Sequence, residues 1–294
     1  MKRKIPQVTF AEHPDQGRKC WISLSGCNFD CKACISTAKQ GIGKELSVDE
    51  LVELILIACK FIWGNGKIVN RVVLTGGEPI LNKDYLLSLI NRLKENGIVN
   101  FELSTNCYLL DENLLNDLCL LNVDILFKPD LKAYDDDIHK QYTGKSNANI
   151  LKAIELLSKY TRKLHKYGPS FIVRTVLMPG IVDIDQIEKI AKFISEVDKN
   201  ACYRIQQFSP VHGQNLTRRP TFEEMLAAYN VAKKYLDNVI VSTYLPTRPE
   251  YNYVEVRADE LTDLFAEINQ KSKSVIASWD VKSYTMNQIL NFRK

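Results

Sequence analysis

Three cysteines stand close together in the chain and form its clearest candidate for a metal site. Cys27, Cys31 and Cys34 have the spacing C-x₃-C-x₂-C. Proteins usually supply one thiolate to each iron of a [4Fe–4S] cluster. Three thiolates would leave one iron with an open position, which suits a cluster that binds a small molecule directly. The alternative is a zinc site completed by a distant ligand, although zinc sites more often use paired Cys or Cys/His units.

The other cysteines and the overall composition narrow the class of protein. Eight cysteines in 294 residues do not suggest a disulfide framework, which belongs to short secreted chains. No second group of three follows Cys34, so one cluster is expected and the remaining cysteines are predicted to be structural. The N-terminus lacks the apolar segment of a secretory signal, and no run of 18 apolar residues predicts a membrane span. We therefore expect a cytoplasmic protein with no membrane partner.

A second motif, Gly76-Gly77-Glu78-Pro79, follows a short apolar run. Two glycines let a backbone approach a ligand closely, and Pro79 restricts the conformation of the exit. A Gly-Gly turn is common and is a weak signal by itself. It becomes informative because the cysteine group follows the preceding apolar run in the same way.

The elements that would position these motifs repeat along the chain. Six short runs rich in Val, Ile, Leu and Phe are each followed by a longer segment with helical periodicity, as expected for parallel strands buried on both faces. Capping boxes predict two of the helix starts, at Ser47 to Glu50 and at Thr221 to Glu224. The predicted strands cover residues 21–26, 71–74, 101–105, 124–127, 171–177 and 203–208.

This alternation of strands and helices predicts an α/β fold with a parallel sheet, specifically a partial (β/α)₆ TIM-like barrel. A doubly wound sheet is the alternative. Residues 1–244 would form the barrel. Residues 245–294 lose the rhythm and are predicted to be a C-terminal extension packed on the barrel, with an edge strand near 253–256 and a helix near 260–268.

Ligands of parallel α/β folds bind at the carboxyl ends of the strands. The unusual short sequences should therefore cluster there, and they do. One site at one rim of the barrel would explain all of them. Besides the two motifs above, the candidate residues at or after the later strands are Ser104, Asn106, Asp130, Lys132, Arg174 and His212.

The cysteine motif followed by Gly-Gly-Glu-Pro after the next strand resembles the radical S-adenosylmethionine (SAM) superfamily. The resemblance implies a [4Fe–4S] cluster on Cys27, Cys31 and Cys34, with SAM chelating the open iron through its amino and carboxylate groups. One electron from the cluster would cleave SAM to methionine and a 5′-deoxyadenosyl radical. The backbone near Gly76 to Pro79 would contact the amino group of SAM.

A narrower resemblance, to pyruvate formate-lyase-activating enzymes and their relatives, rests on three further groups of residues. It implies an enzyme that abstracts hydrogen from a glycine of a partner glycyl-radical enzyme, with an electron donor such as flavodoxin or ferredoxin. The groups are Asp130-Leu-Lys132, Ser104-Thr-Asn106, and Arg174 with Met178-Pro-Gly180.

Two residues depart from the family pattern. Ala33 stands where many members have an aromatic residue just before the third cysteine, so an adenine contact there would use only backbone or a small surface. Ser104 replaces an acidic residue of some activating enzymes, which puts a cation beside the SAM carboxylate in doubt.

Roles for the polar candidates follow from their chemistry. Asn106 and Ser104 can both donate and accept hydrogen bonds, which suits ribose hydroxyls or the polar atoms of methionine. Lys132 or Arg174 could meet the SAM carboxylate, and Asp130 could balance the sulfonium or orient Lys132. A structural ion pair inside the barrel mouth is the alternative for these charges.

Two expectations concern single positions. His212 follows a proline after the sixth strand, where it could reach SAM or remain a solvated loop residue. Valine in place of Gly77 is expected to weaken SAM binding while the cluster remains.

Other functions stay open on the sequence alone. A radical SAM enzyme could instead modify RNA, a peptide or a small metabolite, and the net charge of +4 is weak evidence for a polyanionic substrate. A non-catalytic metal-binding protein belongs to another class. The Gly-Gly-Glu-Pro motif argues against it, because a structural metal site has no use for this motif.

Overall fold

A computed structural model describes residues 1–13, 17–210, 216–243, 254–257 and 280–285. The strands are β1 (Lys2–Ile5), β2 (Gln7–His13), β3 (Gly17–Leu24), β4 (Lys44–Ser47), β5 (Arg71–Gly76), β6 (Asn100–Thr105), β7 (Asp124–Pro129), β8 (Ile172–Leu177), β9 (Cys202–Gln207), β10 (Val239–Thr243), β11 (Val254–Arg257) and β12 (Asp280–Thr285). The helices are α1 (Val48–Trp63), α2 (Lys83–Glu95), α3 (Glu112–Leu120), α4 (Asp136–Thr143), α5 (Ala148–Leu164), α6 (Ile184–Val197) and α7 (Phe222–Lys233).

The parallel strands form a partial barrel. In one sheet β3, β5, β6 and β7 are parallel neighbours, and in the other β8, β9 and β10 are. A parallel bridge between Asp130 and Arg174 joins the two sheets where β7 ends. At least one helix separates each parallel strand from the next in sequence. The prediction of a partial (β/α)₆ barrel is confirmed.

All six predicted strands are present, but the sequence analysis missed β10 and the N-terminal strands. The strand expected from residue 21 begins at Gly17, because β2 pairs with β3 along its whole length, from Gln7 with Ser23 to His13 with Gly17. β10 adds a seventh parallel strand beside β9. β1 and β4 form a separate antiparallel pair, and the alternating exposure of β1 is too short a pattern to identify a strand.

The C-terminal segment contributes strands to both sheets. β11 matches the expected edge strand and pairs antiparallel with β10, while β12 pairs antiparallel with β2. The helix expected near 260–268 lies outside the described residues, and the boundary at 244 stays a prediction. Within the described part of the chain, no helix is both long enough and apolar enough to cross a membrane.

Successive side chains along the strands point to opposite faces of the sheet and pack in two different clusters. Residues such as Ile22, Leu74 and Leu103 are fully buried and pack in one large cluster with apolar residues of the surrounding helices. Each such side chain stabilises the fold by about 1.5–3 kcal/mol relative to an exposed one. A separate small cluster has members only from β7 to β10, so it fills the barrel interior; these members are Leu126, Ile172, Cys202 and Ile240.

The helix starts follow local rules that the sequence shows. Both predicted capping boxes are present, from Ser47 to Glu50 in α1 and from Thr221 to Glu224 in α7. These reciprocal bonds satisfy amides that have no partner within the helix. The helices therefore begin where the chain must turn back from each strand.

A buried carboxylate links four strands across the barrel interior. Glu102 on β6 lies 3.1 Å from Lys19 Nζ, 3.2 Å from Arg71 Nη1 and 2.5 Å from Lys128 Nζ. Burial alone would raise the pKa of Glu102, but these cations hold it well below its usual range. Burial and nearby Arg204 lower the pKa of Lys128 to about 8, although Glu102 opposes this change.

Glu102→Gln is expected to lower the free energy of unfolding by about 3–5 kcal/mol at pH 7, because it leaves buried cations uncompensated. The difference from wild type should shrink below about pH 4, where the carboxylate of the unfolded chain becomes protonated. Denaturant unfolding at several pH values measures both effects. The control is Glu95→Gln, which breaks an exposed pair with Arg92 and should cost less than about 1 kcal/mol. Equal losses in the two variants would contradict the role given to Glu102.

Candidate active site

The cysteine loop leaves β3 at the rim and is held by the last turn of α4. The amide of Asp30 donates to the carbonyl of Thr143 at 2.9 Å, and the amide of Lys32 donates to the carbonyl of Tyr142 at 3.0 Å. These are carbonyls that a helix end leaves without an intrahelical partner. The helix and the loop therefore satisfy each other's backbone groups.

An aromatic anchor fixes the middle of the same loop. Phe29 is buried and meets the rings of Tyr108 and His139 edge-on, at centroid distances of 5.5 and 5.9 Å. His139 is fully buried. The loop is thus held in place by the ring contacts of Phe29 and by its backbone hydrogen bonds to α4.

The three motif thiols are partly exposed and form no disulfide. Cys27 Sγ accepts a hydrogen bond from the amide of Phe29 at 3.4 Å. Burial raises the pKa of Cys31 to about 11, and the nearby thiols add to the effect while Lys132 opposes it. Burial likewise raises the pKa of Cys27. These two thiols should therefore hold protons until they bind a metal, which would displace the protons.

Glu78 ties the Gly-Gly-Glu-Pro segment to the end of β6. Its buried carboxylate accepts from the amide of Ile80 at 3.0 Å, the hydroxyl of Thr105 at 2.6 Å and the amide of Asn106 at 2.7 Å. Burial raises the pKa of Glu78 to about 7, against these three donors. The side chain of Glu78 is therefore engaged by protein.

The glycines of this segment are required by protein rather than by ligand. A Cβ on Gly77 would lie 1.9 Å from the carbonyl oxygen of Gly26, and one on Gly76 would lie 2.3 Å from the amide nitrogen of Leu24. The amides of Gly77 and Glu78 donate to the carbonyls of Leu24 and Gly26 at 2.8 and 2.7 Å. The segment therefore packs directly on the backbone that leads into Cys27.

An arginine from outside these motifs bonds the same two loops. Arg3 on β1 is buried, and its guanidinium donates to the carbonyls of Ser25, Glu78 and Pro79 at 2.6 to 3.2 Å. The amide of Ser25 also donates to the carbonyl of Lys4 at 3.0 Å. The N-terminal strand is therefore part of the rim.

Two asparagines lie beside the first cysteine. Asn106 Nδ2 donates to Asn28 Oδ1 at 2.8 Å and lies 3.9 Å from Cys27 Sγ. Asn28 Nδ2 is buried and has no hydrogen-bond partner within the described structure. A buried donor of this kind is what a bound ligand can satisfy.

A compact charged group lies at the end of β7 and on β8. Asp130 pairs with Lys132 at 3.4 Å and with Arg174 Nε at 2.9 Å, and the latter N–H is not aimed well enough for a hydrogen bond. Arg174 Nη1 donates to Ser104 Oγ at 3.2 Å. Burial opposes the charge on Lys132, but Asp130 outweighs it and raises the pKa of this lysine. The group presents cations suited to a carboxylate.

Comparison with known proteins identifies the family. The sequence model of the Radical SAM superfamily matches residues 21–194. The chain belongs to this superfamily. Its members use a [4Fe–4S] cluster and SAM, and these are the cofactors of this radical SAM enzyme.

Three similar proteins illustrate the range of the likeness. A protein of Methanocaldococcus jannaschii, named as a glycyl-radical enzyme activating enzyme, is 37% identical over 78% of this chain and 83% of the relative. The pyruvate formate-lyase-activating enzyme of Staphylococcus epidermidis is 32% identical over 62% of this chain and 71% of the relative. A radical SAM methyltransferase from Sphaerobacter thermophilus superposes with a TM-score of 0.61 at 17% identity, over 80% of this chain and 68% of that one. The last likeness shows the fold alone.

The residues at the rim fit the cofactors. Three partly exposed thiols and the buried donor of Asn28 follow β3, and Lys132 lies close enough to Cys31 for their charges to interact. Among the described residues no three His, Cys, Asp or Glu meet as ligands of a single ion would. In a [4Fe–4S] cluster each thiolate binds a different iron, so its sulfurs need not converge on one ion.

Most of the predicted site residues are at this rim, and their neighbours refine their roles. Ala33 is partly buried and packs with Cys31 against a small apolar cluster that includes Met178 and Phe208. His212 lies outside the described residues, so its predicted contact with SAM stays a prediction. Pro79 is buried, and its carbonyl is bonded to protein.

Sequence reasoning missed two contributors to the site. Asn28 stands inside the cysteine motif, and its position next to Cys27 was a usable signal. Arg3 gave no comparable signal, because it lies in a short basic stretch far from the motifs in sequence. Arg3 reaches the site because β1 pairs with β4 and because the rim loops pass beside it.

The sequence predicts that valine at Gly77 spares the cluster, but a Cβ there would lie 1.9 Å from the carbonyl oxygen of Gly26, so the structure predicts that the cluster is affected as well. Gly77→Ala should already displace the cysteine loop and lower both iron incorporation and SAM affinity. Iron analysis after anaerobic reconstitution and equilibrium binding of SAM measure the two. The control is Gly168→Ala, far from the motifs in sequence, where a Cβ meets nothing within 4 Å; its φ of +76° strains alanine, so this variant can lose stability but should keep iron and SAM binding. Full iron content in Gly77→Ala would mean that the two backbones can separate without consequence.

Cys31→Ala should lose the cluster and SAM cleavage together, because a cluster held by three thiolates has no spare ligand. Cys59→Ala removes a thiol buried in α1 and should keep both, at a modest cost in stability. Iron content and the 5′-deoxyadenosine formed under reducing conditions distinguish the variants. A full cluster in Cys31→Ala would remove this residue from the ligand set.

Proposed function

We propose that this radical SAM enzyme is an activating enzyme that abstracts a hydrogen atom from a glycine of a partner glycyl-radical enzyme. The observation that carries the proposal is the similarity to activating enzymes, at 37% identity over 78% of the chain and at 32% over 62%. The match covers the barrel and not just the cysteine motif. The proposed substrate is a loop of the partner protein that enters the open mouth of the barrel.

In this proposal Cys27, Cys31 and Cys34 hold the cluster at the rim. The cluster and SAM together would supply a 5′-deoxyadenosyl radical by one-electron cleavage of SAM. The amides of the loop between these cysteines are already bonded to α4. The loop therefore loses little conformational entropy when the cluster binds.

The charged group of Asp130, Lys132 and Arg174 would orient SAM. Lys132 or Arg174 would pair with its carboxylate, while Asp130 keeps both cations in place through contacts of 3.4 and 2.9 Å. Asn106 and Ser104 would contact the ribose or the polar atoms of methionine. Fixing both ends of SAM in this way aims the reactive carbon at one point, which is the main contribution that a protein makes to this chemistry.

The transfer itself requires one bond to break and one to form. A glycine C–H bond breaks homolytically, its hydrogen becomes part of 5′-deoxyadenosine, and the unpaired electron stays on the glycine. The electron that starts the reaction must come from a donor, for which we propose a flavodoxin or ferredoxin. With such a donor and a reduced cluster, the proposed location of the enzyme is the cytoplasm.

Electron paramagnetic resonance on an anaerobic mixture of reconstituted enzyme, SAM, reductant and a candidate glycyl-radical protein tests the proposal. We expect a glycyl doublet, and 5′-deoxyadenosine should form faster with the partner than without it. Partner binding closes the mouth and excludes water, so the radical meets a held C–H bond. Cys31→Ala enzyme in the same mixture is the matched control and should give neither signal.

The second candidate is a radical SAM enzyme that modifies RNA, a peptide or a small metabolite. The same mixture distinguishes it. If 5′-deoxyadenosine forms without a glycyl doublet for any glycyl-radical protein encoded near this enzyme, while an added tRNA or peptide becomes modified, the activating role is wrong.

A further inference from the structure

The N-terminal strand presents one buried charge to the site. Along β1, Lys2 and Lys4 are exposed, whereas Arg3 and Ile5 are buried at 7% and 0% exposure. A guanidinium is among the costliest groups to bury, so its burial demands partners for its donors. These partners are all backbone carbonyls.

The three carbonyls belong to two loops that carry the cofactors. Arg3 Nε and Nη2 donate to the carbonyl of Ser25 at 3.2 and 3.1 Å, two residues before Cys27. Nη2 also donates to the carbonyl of Glu78 at 2.6 Å, and Nη1 donates to that of Pro79 at 2.8 Å. One planar group therefore spans the entrance to the cysteine loop and the end of the Gly-Gly-Glu-Pro segment.

This arrangement uses properties that lysine lacks. The guanidinium holds its donors in a rigid plane, so carbonyls bonded to different nitrogens are fixed relative to one another. A lysine ammonium is a single point on a flexible stem and would follow either loop as it moved. The direct contact of Gly77 with Gly26 sets the closest approach of the two loops. Arg3 adds three bonded carbonyls to the two amide hydrogen bonds that already hold the loops together.

We propose that Arg3 is a positioning residue that sets the geometry between the cluster loop and the SAM-binding segment, and that it governs SAM affinity more than cluster assembly. The inference rests on the placement of the cluster and SAM at this rim and is independent of the substrate. Arg3 lies outside residues 21–194, which match the superfamily.

The test compares Arg3→Gln and Arg3→Lys with wild type after anaerobic reconstitution. Loss of the charged hydrogen bonds should raise the dissociation constant for SAM roughly tenfold or more in Arg3→Gln, with iron content unchanged. Arg3→Lys keeps the charge but loses the planar arrangement of donors, so its dissociation constant for SAM should lie between those of wild type and Arg3→Gln. The spectral change that SAM induces in the paramagnetic resonance of the reduced cluster should weaken in the same order. No partner protein is used, so the result does not depend on the proposed activating function.

Two controls separate positioning from stability. Lys4→Gln changes an exposed charge on the same strand and should bind SAM as wild type does. Ile5→Ala removes a buried side chain of β1 that makes none of these bonds, so it should lower the melting temperature with a smaller effect on SAM.

Wild-type SAM affinity in Arg3→Gln would overturn the proposal. So would a loss of SAM affinity in Ile5→Ala equal to that in Arg3→Gln at the same loss of stability. If Arg3→Gln does not fold, Arg3→Lys decides: unchanged SAM affinity there overturns the positioning role, and weakened affinity with full iron content supports it.

Discussion

The contact between two backbones at the rim, Gly77 against Gly26, constrains everything built around it. With no room for a Cβ, the end of β5 lies directly on the chain that enters the cysteine loop. The loop that presents thiols and the segment assigned to SAM are therefore one packed unit, which explains why a change at one should affect the other. Glu78 extends this unit to β6 through Thr105 and Asn106, so three strand ends are coupled at the point where the chemistry is placed.

The charges of the barrel interior are arranged in two groups with different exposure. Glu102 is almost fully buried among three cations and links strands, whereas Asp130 and its cations keep part of their surface open at the mouth. Only the second group can exchange a protein partner for a ligand without leaving a deeply buried charge uncompensated. This difference supports assigning SAM recognition to Asp130, Lys132 and Arg174 while Glu102 maintains the barrel.

Much of the fold and site followed from the sequence because the signals were local. Apolar runs marked the parallel strands, capping boxes marked the starts of α1 and α7, and motifs after successive strands had to meet at one rim. The antiparallel strands β1 and β2 were not predicted, because a short, half-buried strand is defined by its partner rather than by its own residues. For the same reason Arg3 was missed. The contact of Gly77 with Gly26 could not be predicted, because a sequence does not show which backbone lies opposite a glycine.

The strand β2 has a consequence for how this chain can be divided. β2 pairs with β3 on one side and β12 on the other, so residues near the two chain ends lie side by side in the sheet that begins the barrel. The superfamily model matches residues 21–194, yet the strand pairing of this sheet extends beyond both limits. A fragment cut at those limits would leave β3 without its antiparallel partner and would expose an unpaired strand edge, a known route to aggregation.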